Sequence, residues 1–151
     1  SGPPMTRTVA PRAEAGVPPE LVLAKLRIPF VQRARLAHGD STRDVFLVDL
    51  GLQGVFAELE EPLPVGDAVR IRFPLPGNEI PVAALCRVAW RHAGGASPRG
   101  LPPGVGLEFV EVSKGDRTRL REHVLEYWRR AGPSRRFTRP WPTAEAKEGG
   151  L

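Results

Sequence analysis

Histidine and cysteine most often carry acid–base, nucleophilic or metal chemistry, and this chain has three histidines and one cysteine. His38, His92 and His123 fall in a predicted turn, a loop and a helix, without a spacing that would gather them around a metal ion. Cys86 lies in the middle of a predicted strand, and its neighbour Arg87 faces away from it. The sequence therefore predicts no catalytic site, metal site or cofactor, and we interpret the protein as a non-enzyme.

The charge of the chain raises the question of an anionic partner, because its net charge is +5 and its pI is near 10.3. Between residues 27 and 130 the surplus of basic over acidic residues is only two, so the ends supply the rest. Arg135, Arg136 and Arg139 lie in a C-terminal tail. A basic tail more often adds solubility or weak phosphate affinity than a specific nucleic-acid site, so nucleic acid is not the favoured partner.

Length and composition favour one folded domain. The chain has 151 residues, 41% of them hydrophobic, which suffices for a single core. One cysteine excludes an intramolecular disulfide, and no run of about 20 apolar residues predicts a membrane span. We expect a cytoplasmic protein.

Short strands are the elements predicted to position the functional side chains, because apolar residues alternate along six segments separated by Gly- and Pro-rich turns. The segments are Ile28–Leu36, Arg43–Leu50, Val55–Leu59, Val69–Phe73, Ile80–Arg91 and Val105–Phe109. In the fifth segment the residues placed on the core face are Val82, Ala84, Cys86, Val88 and Trp90. Six antiparallel strands protect their edges by closing into a barrel.

A helix is predicted after the last strand. Ser113–Asp116 has the spacing of a helix start, and Gly132-Pro133 ends the pattern. Its apolar stripe contains Leu120, Val124, Tyr127 and Trp128. The domain is therefore placed at residues 21–131, between a flexible arm at 1–20 and a flexible tail at 132–151.

The stretch from Arg27 to Arg130 resembles the PilZ domain family in the order and spacing of its motifs. Asp49-Leu50-Gly51-Leu52-Gln53-Gly54 stands where that family has D/N-x-S-x-x-G. The further matching pieces are Pro62–Asp67, Phe73–Gly77, Arg87–Trp90 and Gly104–Phe109. The Pro-Leu-Pro-Val-Gly turn is similar to that of myxobacterial PilZ-like paralogues. The resemblance implies a mainly β fold, a six-stranded antiparallel barrel with a C-terminal α-helix, in a bacterial signalling protein.

The resemblance also implies a ligand, cyclic di-GMP, and the residues that remain of its motif are Arg27, Asp49, Gly51 and Gly54. Arginine suits this ligand, because its guanidinium forms paired bonds to guanine or phosphate and stacks on purines. Two of the ligand contacts that the family motif provides are missing from this sequence. Leu23 stands where the family's first arginine would lie, with Lys25 at the wrong spacing, and Gly51 replaces the serine. The strand arginines at 33, 35, 87 and 91 are alternative anion contacts, although we favour solvated strand-face charges.

Three functional hypotheses follow from these residues. The first is a PilZ-like regulatory or adaptor domain that acts through protein–protein contacts and binds cyclic di-GMP weakly or not at all. The second is a working cyclic di-GMP receptor that controls motility or surface behaviour. The third is a weak nucleic-acid binder that uses the basic tail.

Overall fold

The computed structural model describes residues 20–61, 63–77, 80–93 and 101–131. The predicted arm, except for residue 20, and the predicted tail with its arginines lie outside these ranges. The elements in chain order are α1 Glu20–Lys25, β1 Arg27–His38, β2 Ser41–Gly51, β3 Gly54–Glu58, β4 Ala68–Phe73, β5 Val82–His92, β6 Gly104–Val112 and α2 Lys114–Ala131. Neither described helix is long and apolar enough to cross a membrane.

The six strands form a closed barrel in the order β1-β2-β3-β6-β5-β4, and every neighbouring pair is antiparallel. A two-residue turn joins β1 to β2, with Gly39 at a φ of 59° that glycine adopts without a steric penalty. The pairing of β1 with β4 closes the ring. The predicted mainly β fold, a six-stranded antiparallel barrel followed by a C-terminal helix, is confirmed.

The barrel interior is filled by the alternating apolar residues of the strands, as period-2 patterning predicts. Phe73, Ile71 and Leu107 are among its fully buried side chains. The helix α2 adds Leu120 and Val124 to the same core. The domain therefore has one main core, and the helix covers part of it.

The start of α2 is held by side chains that satisfy its first backbone groups. Ser113 Oγ accepts a hydrogen bond from the Asp116 N–H at 3.1 Å, so Ser113 caps the helix as its position predicted. The Asp116 carboxylate accepts from the Ala83 N–H at 3.1 Å and pairs with Arg119. Burial alone would raise the pKa of Asp116, but these hydrogen bonds and the Arg119 charge hold it below its usual value.

The placement of Trp90 on the core face of β5 was wrong. The pairing of β5 with β6 shifts register between Val88 and Trp90, where a β-bulge inserts one extra residue. Since a one-residue shift reverses the face on which later side chains lie, Trp90 joins a separate cluster with Phe56 and Ala89. The period-2 pattern cannot show an inserted residue.

Candidate functional site

Arg27 and Asp49 form a buried ion pair on the barrel wall. Arg27 opens β1 and pairs in register with Gly51, while Pro29 pairs with Asp49, so the two charged side chains are diagonal neighbours on one face. Arg27 Nη2 contacts Asp49 Oδ1 directly. Only 4% of Arg27 and 1% of Asp49 is exposed, so this pair is almost completely withdrawn from solvent.

The second edge of the same guanidinium is also bonded within the protein. Arg27 Nη1 donates to the backbone oxygen of Gly54 at 2.9 Å. Gly54 begins β3, at the far side of the bend that follows β2. Through its bonds to Asp49 and Gly54, Arg27 therefore ties together the start of β1, the end of β2 and the start of β3.

Gly51 leaves the space in which Arg27 lies. A Cβ atom at position 51 would approach the Leu26 backbone oxygen to 2.6 Å and Arg27 Nη1 to 2.8 Å. Either contact is closer than packed atoms tolerate, so a serine does not fit while Arg27 keeps this position. In the sequence, Gly51 marks only the loss of a serine hydroxyl, whereas in the structure the absence of a side chain there makes room for Arg27.

The position of the missing first arginine is also part of the core. Leu23 on α1 is fully buried, and it packs in the main cluster of the barrel. A guanidinium at position 23 would have to displace this contact. The four predicted motif residues thus meet at one place, and the residue four positions before Arg27 is part of the hydrophobic core.

An aromatic cluster adjoins the ion pair on the outer wall. Phe56 pairs in register with Asp49, and its ring lies 5.2 Å from that of Trp90 between centroids. Gly106 faces Trp90, and a Cβ there would come within 2.1 Å of Trp90 Nε1. This apolar cover lowers the local dielectric and strengthens the neighbouring ion pair. The Asp49 Oδ2 atom has no hydrogen-bond partner among the described residues.

The four strand arginines predicted as alternative contacts do not all meet at one place, because Arg33 and Arg35 lie on β1 whereas Arg87 and Arg91 lie on β5. Arg33 lies over the Phe46 ring at 5.4 Å, and Arg35 pairs with Asp44 at 3.1 Å. Arg87 on β5 pairs with Glu108 of the neighbouring strand β6 at 2.5 Å. Strand β4 pairs with β1 and brings two further arginines, Arg70 and Arg72, next to Arg35, which the pattern of a single segment does not reveal.

His38 and His92 were predicted in a turn and a loop, but they are the last residues of β1 and β5. The predicted helix position of His123 is confirmed, and Cys86 lies within β5 as predicted. His38 contacts Asp67 at 2.9 Å, and His123 packs edge-on against Phe30. Burial, with the nearby Arg130 charge, lowers the pKa of His123. Burial raises the pKa of Cys86 to about 12, so its reactive thiolate is scarce.

Within the described ranges, no three His, Cys, Asp or Glu side chains are grouped closely enough to hold a metal ion.

A closed antiparallel barrel with a helix after its last strand, an arginine at the start of β1 and an aspartate–glycine bend between β2 and β3 defines the PilZ-type class of domain. The chain belongs to the PilZ domain family, because the model of that family matches residues 24–126. Its matched segment begins in α1 and ends in α2.

A solved structure agrees with this fold. The Bacillus subtilis inhibitor of motility, MotI/DgrA, is similar to the chain with a TM-score of 0.55 and 15% identity, over 67% of this chain and 48% of that one. The chain therefore spans about half the length of that structure, and the likeness concerns the fold. No curated protein matches the chain.

Proposed function

We propose that this protein is a PilZ regulatory or adaptor domain that acts through contacts with a partner protein and binds cyclic di-GMP weakly or not at all. Membership of the PilZ family supports the regulatory role. The observation that carries the finer proposal is the position of Arg27, whose guanidinium is buried against Asp49 and the Gly54 carbonyl.

The cost of freeing Arg27 works against nucleotide binding. Breaking a buried ion pair costs about 3–5 kcal/mol when one partner is left behind. A charge-assisted hydrogen bond to the nucleotide returns about 1.5–3 kcal/mol. With Leu23 in place of the family's first arginine, one new bond does not recover the loss. The midpoints of these two ranges differ by about 2 kcal/mol, which weakens binding by a factor of roughly 30.

A working receptor for cyclic di-GMP is the second candidate. The observation in its favour is the buried Asp49 Oδ2 atom, which accepts no hydrogen bond from a described residue. A guanine N–H would satisfy such an acceptor. The structural neighbour is named as an inhibitor of motility, which is consistent with the motility role considered for this alternative.

Calorimetric titration of the full chain with cyclic di-GMP at moderate salt separates the two candidates. We expect no saturation at micromolar nucleotide. The comparison variants are Arg27→Ala and, as a control of equal charge, Arg117→Ala on the exposed face of α2. Saturable micromolar binding by the unmodified chain would overturn the proposal, and its loss in Arg27→Ala but not in Arg117→Ala would locate the nucleotide at the motif.

A further inference from the structure

Four arginines form a continuous surface on the outer wall of the barrel, where β1 and β4 meet. Arg35 and Arg72 are direct partners in the register of these strands, so their side chains leave the same face. Arg33 lies two residues before Arg35 on β1, and Arg70 lies two residues before Arg72 on β4, so both side chains leave that same face. All four arginines are exposed. We call Arg33, Arg35, Arg70 and Arg72 the arginine wall.

The positive charge of the arginine wall is largely uncompensated within the described structure. Arg35 pairs with Asp44, but both side chains are at least half exposed, so the pair is weak. Among the described residues, neither Arg70 nor Arg72 has an ion-pair or hydrogen-bond partner. Like charges directly across two strands destabilise a sheet, which makes the pairing of Arg35 with Arg72 unfavourable for folding.

Two surface grooves flank Arg72. One, of about 430 Å³, runs over β4 and β5 and is lined by Arg70, Ala83 and Leu85 as well as Arg72. The other, of about 420 Å³, lies over the β1 side between Arg35, Arg72 and Pro81. An extended segment crossing this wall would have Arg72 beneath its centre and a groove for side chains on either side.

The surroundings of the wall favour a short acidic protein segment over nucleic acid. Glu111 borders one groove and Asp44 the other, so the basic strip is narrow. Adjacent strands are about 5 Å apart, and alternate residues of one strand about 7 Å, which suits a few carboxylates. A duplex presents phosphates over a much longer path and would meet the flanking carboxylates. The nearby Phe46 is 46% exposed, and exposed aromatic and arginine side chains are typical of protein interfaces.

We infer that the arginine wall is the surface on which this domain binds an acidic segment of its partner protein. This inference rests on the proposed function, because it names the surface and the chemistry of that protein contact. Carboxylates of the segment pair with Arg70, Arg72 and Arg35, and the neighbouring side chains of the segment lie in the two grooves.

Fluorescence anisotropy with a fluorescein-labelled hexaglutamate peptide tests this inference on the full chain. We expect the peptide to bind, with an affinity that falls as salt rises. The double variant Arg35→Gln/Arg72→Gln should weaken binding by roughly tenfold, since it removes two of the pairing charges. The control Arg117→Gln/Arg129→Gln lowers the net charge equally on α2 and should change the affinity by less than about twofold.

Equal peptide affinity in the two double variants would overturn the inference, as would no peptide binding at all. Tighter binding of an oligothymidylate of matched charge would also overturn it and would assign the wall to nucleic acid. None of these three outcomes removes the proposal of weak nucleotide binding, which is tested separately by the cyclic di-GMP titration. Removing the repulsion between Arg35 and Arg72 should leave the variant folded, and circular dichroism checks this.

Discussion

Restoring the serine of the family motif should damage this protein rather than repair it. In the variant Gly51→Ser, the new Cβ atom lies 2.6 Å from the Leu26 backbone oxygen and 2.8 Å from Arg27 Nη1. The guanidinium is a side-chain end and can move, but the Leu26 oxygen belongs to the backbone between α1 and β1. The variant must therefore shift the start of β1 or expel Arg27 from its buried pair with Asp49.

The size of the effect follows from these two contacts. Forcing extra atoms into a packed site costs about 1–3 kcal/mol. Replacing a strand glycine recovers about 0.5–1 kcal/mol, because the unfolded chain loses conformational freedom. The expected net loss is about 1–2 kcal/mol, which lowers the melting temperature of a domain of this size by roughly 5–10 °C.

Urea unfolding and cyclic di-GMP titration of the same samples measure the two consequences. Gly51→Ala separates the steric effect from the hydroxyl, and it should lose nearly the same stability. Gly115→Ala is the matched control, because a Cβ at position 115 meets no atom within 4 Å and the residue lies in α2. If Gly51→Ser were as stable as the unmodified chain and bound the nucleotide at micromolar concentration, the account of Gly51 as space for Arg27 would be refuted.

Three further perturbations test other parts of the structure. Asp49→Asn leaves the Arg27 charge buried without its counter-ion and should lower the free energy of unfolding by about 3 kcal/mol in urea titrations; an unchanged midpoint would contradict a buried pair. Gly106→Ala places a Cβ within 2.1 Å of the Trp90 indole, so it should displace that ring and cost about 1–3 kcal/mol, seen as altered tryptophan fluorescence and a lower unfolding midpoint. The lowered pKa of Asp116 means that the unfolded chain binds its proton first, so this group stabilises the fold above about pH 4 and the contribution is lost as pH falls further. In Asp116→Asn, the free energy of unfolding measured in urea should therefore fall less steeply as the pH is lowered below about 4. An unchanged pH dependence would show that the Asp116 carboxylate is not responsible.

The strands could be predicted because the alternation that marks them lies within a few consecutive residues. Alternation of apolar and polar residues reports which face of a strand is buried, and it holds along β4 from Ala68 to Phe73. The start of α2 was equally readable, since Ser113 and Asp116 cap it through groups close in sequence. Trp90 was misplaced because a bulge depends on the partner strand, and one segment contains no information about its partner.

The contacts of the motif residues Arg27, Asp49, Gly51 and Gly54 also depend on strand pairing that a single segment does not reveal. The four residues could be recognised from their spacing, but their contacts depend on a register that joins Arg27 to Gly51. From spacing alone, Gly51 in place of a serine and Leu23 in place of an arginine are therefore two separate differences from the family motif. In the structure Leu23 packs in the main core, and the absence of a side chain at Gly51 leaves room for the Arg27 guanidinium.

The two arginine sites lie toward opposite ends of β1 and use their charge in opposite ways. Arg27 at the first residue of the strand is buried and neutralised, whereas Arg35, eight residues later, is exposed beside Arg72. Eight strand residues span about 25 Å, beyond the range within which substitutions usually interact. Changes at the arginine wall should therefore leave the Arg27 pair intact, so the proposed partner surface and the buried Arg27–Asp49 pair can be tested independently of each other.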